Sequence, residues 1–316
     1  MLRILLCGDT FPGAPGRLEQ RLDPAHYRVT VGSADGLEAF VGDADVVIPR
    51  MCRVDSALMD VGGFRLIHQW GAGLEGVDLE AARSRGIQVA NVPSVGKNAD
   101  SVAEHAILLT LATLRQLPVA QSSLQSGAWG APLGRALAGR TVCLYGLGAV
   151  ARALVRRLRP FDVRILGITR DPAAAKVAAL GLDGCYSPAD RDGCLAQTDV
   201  LILCVPLTYE TEGIIDRDAL AALPEGAVLI NAARGGLVDY QALRAALESG
   251  HLGGAGLDVF WKEPFSPRDP LLRLPNVIAT PHIAGVTDKS YDQIADAVAA
   301  NLERLRRGEP LANRAV

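Results

Sequence analysis

The sequence predicts an α/β protein with two parallel-sheet domains, and three observations predict it. Short apolar runs alternate with amphipathic stretches along the chain. Several runs, such as Val200–Cys204, lack the period-two alternation of a half-exposed strand, as parallel strands covered on both faces require. The 316 residues are 49% hydrophobic and 21% charged, enough material for two cores at about 150 residues per domain.

The elements follow in order. Arg3–Cys7, Tyr27–Val31, Val46–Ile48, Leu66–Gln69 and Gln88–Ala90 read as a first set of strands. Thr141–Tyr145, Val163–Ile168, Val200–Cys204, Ala227–Asn231, Ala255–Val259 and Val277–Ala279 read as a second. Helical patterns lie between them, Ala151–Arg159 and Tyr240–Glu248 among them. A long apolar helix is expected from Ala99 to Leu117, ended by Pro118, which places the domain boundary near Asn98. A last helix spans about Asp288 to Arg307, and the tail from Gly308 reads as irregular. Neither an internal repeat nor a low-complexity tract is present.

Charge and composition exclude several classes. A net charge of −3 offers no polyanion-binding surface, so nucleic acid is not an expected partner. The N-terminal apolar stretch turns polar at Gly8-Asp9, too soon for a signal peptide. The apolar segment Val102–Leu114 is interrupted by Glu104, His105 and two threonines and is too short to span a membrane. The six cysteines are scattered with no Cys-x-x-Cys pair, so the expectation is free thiols, no metal and a cytoplasmic protein.

The sharpest motif is Tyr145-Gly146-Leu147-Gly148-Ala149-Val150-Ala151, after a strand and opening a helix. This is the Gly-x-Gly-x-x-Gly/Ala pattern of a dinucleotide-binding β-α-β unit. Gly146 permits the tight turn, Gly148 admits the pyrophosphate, and Ala151 allows close helix–strand packing. The helix N-terminus then offers unpaired N–H groups to phosphate. The end of the next strand selects the dinucleotide. Where an acid would hold the ribose 2′-hydroxyl of NAD stands Thr169, followed by Arg170 and Asp171. A hydroxyl and a guanidinium suit a 2′-phosphate, so NADP(H) is the expected cofactor; NAD(H), with Asp171 serving the ribose, is the alternative. Gly96-Lys97 resembles the end of a phosphate-binding loop, but the earlier glycine and the following Ser/Thr are absent.

Three later segments carry chemistry: Ile230–Gly236, Gly256–Pro264 and Thr280–Gly285. Two sit at the C-terminal ends of expected strands, and Glu263 lies in the loop beyond a third; in parallel sheets ligands bind at that edge. Arg234 can hold a carboxylate bidentately. His282 can donate a proton to a developing alkoxide. Glu263 can hydrogen-bond that imidazole in its charged form. Together these are the groups that reduction of a 2-keto acid needs.

In this order, and with Gly71–Asp78, Asn91-Val92-Pro93 and Ala99–Ala106, the segments closely resemble the D-isomer-specific 2-hydroxyacid dehydrogenase family over nearly the whole chain. Within it, Thr169-Arg170 resembles the NADPH-using glyoxylate and hydroxypyruvate reductases. The resemblance implies two Rossmann-like domains. A flavodoxin-like substrate domain comprises 1–98 and 287–316, and a dinucleotide-binding domain comprises 99–286. It implies that Arg234, Glu263 and His282 are catalytic. Backbone N–H groups of Ala72 and Gly73 would bind the substrate carboxylate together with Arg234. Cofactor contacts would come from Gly146, Gly148, Ala149, Val150, Thr169, Arg170, Cys204, Pro206, Thr211, Ala232, Ala233, Asp258 and Gly285, with Asp258 holding the carboxamide. A homodimer and a D-2-hydroxy acid product are implied too.

Two other readings stand beside this one: an NAD-linked D-2-hydroxyacid or 3-phosphoglycerate dehydrogenase, and a nucleotide-sensing corepressor-like binding protein. 3-Phosphoglycerate would need a further phosphate site; the corepressor reading is opposed by Arg234, Glu263 and His282 occurring together. His105 is expected to pack or cap its helix. Arg50, Met51 and Cys52 follow a strand and are placed to tune substrate choice, with a surface ion pair as the plainer role for Arg50. His68 is expected to be structural, and Trp261 to cover the site or pack against another subunit.

Overall fold

The computed structural model describes residues 1–172 and 179–316. The chain folds into two compact units, Met1–Asn98 with Val286–Val316, and Ala99–Gly285.

The first unit carries β1 (Leu2–Cys7), α1 (Ala14–Glu19), β2 (Tyr27–Gly32), α2 (Glu38–Val41), β3 (Val46–Ile48), α3 (Ser56–Val61), β4 (Leu66–His68), α4 (Leu79–Ser84) and β5 (Gln88–Ala90). The strands form one sheet in the order β2-β1-β3-β4-β5, every pair parallel. That order reverses direction between β1 and β3, the flavodoxin-like arrangement. Alternate residues of each strand feed two cores. Leu5, Cys7, Val47, Ile67 and Val89 meet Leu58, Met59, Ala81 and Ala82 on one face. Leu2, Ile4, Leu6, Ile48 and Leu66 meet Leu18 and the last helix on the other. Each Val, Leu, Ile or Met side chain among them contributes about 1.5–3 kcal/mol when fully buried. Asp55 and Asp78 cap α3 and α4, accepting from the amides of Leu58 and Ala81.

The second unit carries most of α5 (Lys97–Leu114), then α6 (Leu117–Gln125), β6 (Thr141–Tyr145), α7 (Ala149–Leu158), β7 (Arg164–Ile168), β8 (Gly184–Tyr186), α8 (Arg191–Leu195), β9 (Val200–Leu203), α9 (Arg217–Ala222), β10 (Ala227–Asn231), α10 (Tyr240–Glu248), β11 (Leu252–Leu257) and β12 (Val277–Ala279). Its parallel sheet runs β12-β11-β10-β9-β6-β7-β8 and reverses between β6 and β9. The closing helix, α11 (Asp288–Arg307), belongs to the first unit and presents Tyr291, Ile294, Ala295, Val298, Leu302 and Leu305 to its core. Among the described residues, no helix is long and apolar enough to cross a membrane.

The chain departs from its sequence reading in three places. Pro118 does not end a helix: α5 stops at Leu114, Gln116 turns left-handed (φ 50°), and Pro118 occupies the first turn of α6, where its missing N–H costs nothing. The strand expected at Ala255–Val259 begins earlier, at Leu252, and ends at Leu257. β8 was not expected, because Gly-Cys-Tyr on a half-buried sheet edge shows no apolar run.

Candidate active site

The glycine motif stands at the β6/β9 switch point of the seven-stranded sheet. Gly146 has φ +101°, and a Cβ there would lie 2.6 Å from Val205 Cγ1 and 2.9 Å from the Cys204 carbonyl carbon, so only glycine lets the turn pass the end of β9. Gly148 caps α7 in extended conformation with no side-chain cap bond, and a Cβ there would meet nothing within 4 Å. Open space before the uncapped N–H groups of a ten-residue helix is the cradle a pyrophosphate requires. Ala151 is fully buried, while Ala149 opens the helix and Val150 is half-buried beside it. The residues present therefore fit a dinucleotide.

The other expected cofactor residues surround this edge. Thr169 and exposed Arg170 follow β7, and the Thr169 amide bonds the Tyr186 carbonyl at 3.0 Å. Cys204 follows β9, and the loop beyond it is closed by Thr211, whose hydroxyl donates to the Pro206 carbonyl at 2.7 Å. Ala232 and Ala233 are half-exposed after β10, where Asn231 Oδ1 accepts from the Ala233 amide at 3.0 Å. Gly285 closes the loop after β12.

Arg234, Glu263 and His282 emerge beyond three adjacent strands, β10, β11 and β12. His282 Nδ1 lies 2.7 Å from Glu263 Oε2, with the two side chains 31% and 18% exposed. The other carboxylate oxygen, Oε1, accepts the Phe260 amide at 2.9 Å, which fixes the glutamate on its own loop. Gly235 joins Arg234 to that loop: a Cβ there would fall 2.1 Å from the Phe260 carbonyl carbon and 2.5 Å from the Trp261 amide nitrogen. Trp261 itself turns inward, donating its indole N–H to the Val238 carbonyl and packing edge-on to Tyr240 at 5.0 Å.

His282 adopts φ +55°, a left-handed conformation worth about 1–3 kcal/mol of strain in a non-glycine residue. Asp258 holds it there. The Asp258 carbonyl accepts the His282 amide at 2.9 Å. The wholly buried carboxylate accepts from the Ile283 amide (2.8 Å, Oδ1), the Ala284 amide (2.8 Å, Oδ2) and the Thr280 hydroxyl (2.6 Å, Oδ1). Because Thr280 gives its one proton to Asp258, it accepts from His105 Nε2–H at 2.8 Å. Burial alone raises the Asp258 pKa, but the hydrogen bonds from His105, Thr280 and the two amides outweigh it and hold the carboxyl below the usual range. His105 thus has a role the sequence did not show. Asp258, expected at the carboxamide, is largely engaged by its own loop and keeps one acceptor position on Oδ2.

Ala72 and Gly73 lie in the first unit, in the loop after β4. Gly71 has φ +127°, the Val92 amide donates to the Gly71 carbonyl (2.8 Å), and Asn91 Nδ2 donates to the Ala72 carbonyl (2.7 Å). His68 in the same unit is fully buried and structural in its contacts. Nδ1 meets the Gln69 carbonyl at 3.1 Å and Nε2 meets Asn301 Nδ2 at 2.9 Å.

Fold and site define a Rossmann-type sheet with a glycine turn at its switch point, in which a carboxylate-paired imidazole and a guanidinium occupy neighbouring strand ends. Residues 107–284 match the D-isomer specific 2-hydroxyacid dehydrogenase, NAD binding domain. The chain is 36% identical over 280 residues to a glyoxylate reductase of Pyrococcus furiosus, covering 85% of this chain and 81% of that protein. It is also 36% identical over 313 residues to a D-3-phosphoglycerate dehydrogenase of Mycobacterium bovis, covering 98% of this chain and 58% of that one. A solved NADPH-dependent glyoxylate/hydroxypyruvate reductase from Sinorhizobium meliloti, in complex with NADP and malonate, superposes with a TM-score of 0.84 at 35% identity, covering 100% of this chain and 97% of its own. The chain belongs to the D-isomer-specific 2-hydroxyacid dehydrogenase family. It spans about half the length of the D-3-phosphoglycerate dehydrogenases it matches, 50% and 58% in two of them.

Proposed function

We propose that the protein reduces a small 2-keto acid of the glyoxylate or hydroxypyruvate type to the D-2-hydroxy acid, with NADPH preferred to NADH. The observation that carries the reading is the 2.7 Å pairing of His282 Nδ1 with Glu263 at the strand edge that also presents Arg234. Residues 99–286 serve the dinucleotide, and 1–98 with 287–316 serve the substrate. The bound reduced nicotinamide supplies a hydride for the keto carbon. With Nδ1 engaged by Glu263, His282 keeps a proton on Nε2 and delivers it to the carbonyl oxygen, so hydride and proton together complete the alcohol. Glu263 orients the ring through its bond to Nδ1. Arg234 binds the substrate carboxylate and stabilises the negative charge that grows on the carbonyl oxygen. The Ala72 and Gly73 amides are the donors that the first unit itself offers to a substrate carboxylate. For NADPH, the argument is Thr169-Arg170 in place of an acid, supported by the NADP-bound relative.

The test is loss of nicotinamide absorbance with glyoxylate, hydroxypyruvate, pyruvate and a bulky aromatic keto acid, each with NADPH and NADH. Rapid turnover of the small acids with NADPH is expected. Turnover chiefly with NADH moves the ribose contact to Asp171. Tight dinucleotide binding without turnover of any acid overturns the enzymatic reading in favour of a sensor. The shared identity with D-3-phosphoglycerate dehydrogenases sustains a second reading, checked by 3-phosphoglycerate with NAD in the same assay.

A further inference from the structure

We propose that the first unit holds a small-oxyanion site centred on the Arg50 guanidinium, at the β1/β3 switch point of its sheet. Arg50 follows β3 and Thr10 follows β1, the two strands between which the order β2-β1-β3-β4-β5 reverses. That crevice, outside the carboxyl ends of the strands, is where open parallel sheets take ligands.

Arg50 is the anomaly there. It is 3% exposed and sits at φ +54°, a conformation rare for a side-chain-bearing residue. Nε donates to the Cys7 carbonyl at 2.9 Å and Nη1 to the Thr10 carbonyl at 2.6 Å, while buried Nη2 has no hydrogen-bond partner. Among the described residues, no carboxylate forms an ion pair with it; exposed Asp9 is felt only through its field. A guanidinium cannot shed its proton to escape burial, so a buried one calls for a countercharge.

The surroundings are rich in donors. Six buried side-chain polar atoms in the described residues have no partner. Four of them are Arg50 Nη2, Thr10 Oγ1, Trp70 Nε1 and Tyr291 Oη, all in this unit. The Trp70 and Tyr291 rings meet edge-on at 5.8 Å, and Gln69 links Trp70 to Arg50 by accepting the Trp70 amide (3.0 Å) and donating to the Arg50 carbonyl (3.0 Å). Burial pushes the Tyr291 phenol up to about 12, so it remains a donor, and the Arg50 charge lies within its electrostatic reach. Guanidinium and indole only donate, and both hydroxyls can. Water would satisfy some of these groups but leave the charge uncompensated, whereas an oxyanion answers both demands.

The oxyanion has two sources: a free inorganic anion such as phosphate or sulfate, or a second anionic group of the substrate, the latter resting on the keto-acid reading above. The full chain, without cofactor or keto acid, is titrated with sodium phosphate and with sodium sulfate against sodium chloride of equal ionic strength. Intrinsic tryptophan fluorescence and melting temperature are read. A saturable fluorescence change and a rise in Tm are expected. Trp70→Phe should lose most of the fluorescence signal, and Arg50→Met should lose both responses. Arg50→Lys, which keeps the charge without the fork, should weaken binding about tenfold or more. If Arg50→Met does not fold, Arg50→Lys and Tyr291→Phe decide. No saturable response beyond chloride overturns the site and leaves water as the occupant; a response unchanged in the Arg50 and Tyr291 variants overturns its placement. Phosphate that competes with oxaloacetate but not with pyruvate assigns the substrate's second group as the source; saturable binding without such competition assigns the free anion. Because binding is read without turnover, failure of the site and failure of the enzymatic reading stay distinct.

Discussion

Replacing Glu263 by Gln isolates the contribution of one negative charge to the proposed proton transfer. The substitution is nearly isosteric, and the amide oxygen can still accept the Phe260 amide that Oε1 accepts now at 2.9 Å. The loop is therefore retained, while the group facing His282 Nδ1 at 2.7 Å becomes an NH2 donor. Two donors then oppose each other whenever Nδ1 carries a proton, and the charge-assisted bond that orients the ring is lost. A hydrogen bond to a charged group is worth about 1.5–3 kcal/mol, and 1.4 kcal/mol is tenfold in rate. With the pair 18% and 31% exposed, solvent screening takes the lower half of that range. The expected result is a fall of roughly 10- to 40-fold in kcat/KM for glyoxylate, by the same principle. Tm and NADPH affinity, the latter by fluorescence titration, should be unchanged. A kcat/KM within about threefold of the parent would refute the assignment of Glu263 as the partner that positions His282 for proton transfer, since such a change is under 1 kcal/mol.

Three further outcomes are expected. Thr280→Val removes the hydroxyl bridging His105 and buried Asp258, so unfolding free energy should drop by about 1–3 kcal/mol and kcat should fall; denaturant melts and steady-state rates check both. His68, fully buried, has its pKa depressed by burial to about 4 from 6.5, partly opposed by hydrogen bonding. The folded state thus holds it neutral. Its stabilisation is complete above pH 6.5 and is lost as pH falls toward 4, by about 3 kcal/mol, and His68→Gln should flatten that slope in urea melts at pH 7 and pH 5. Arg170→Ala should raise KM for NADPH by about tenfold, the loss of one charge-assisted phosphate contact, and leave KM for NADH near its original value.

The parts of the molecule legible in the sequence are those where one residue type has one physical use. Continuous apolar runs marked buried parallel strands, and Gly146-x-Gly148 marked a turn that must pass close to another strand. The placement of Arg234, Glu263 and His282 beyond neighbouring strands was readable because parallel sheets present side chains together at their C-terminal edge. What stayed hidden depends on partners distant in the chain. Gly253-Gly254 masked the start of β11, because glycine is used there for packing: a Cβ on Gly254 would sit 2.7 Å from Thr113 Cγ2 of α5. His105 and Thr280 meet across 175 positions, so no local pattern announces them. Arg50 belongs to a residue type that is usually solvated, and its burial emerges only once β1 and β3 are neighbours.

The strand order β12-β11-β10 implies that the three proposed catalytic groups form one mechanical unit, and Gly235 is where this can be tested without touching any of them. A methyl group there would stand 2.1 Å from the Phe260 carbonyl carbon and 2.3 Å from its oxygen, both main-chain atoms that cannot rotate away. The strain must move either Arg234 or the 260–263 backbone, and the latter carries the amide that fixes Glu263. Gly235→Ala should therefore cost about 1–3 kcal/mol of stability as an overpacked contact. Its effect on kcat should exceed what that loss explains at a temperature where the variant is fully folded. Dinucleotide binding at Gly146–Ala151 should persist, since the β6/β9 turn lies on other strands of the sheet. Full activity in a folded Gly235→Ala protein would show that the loops after β10 and β11 move independently, and that Arg234 and Glu263 are not held in register by their backbones.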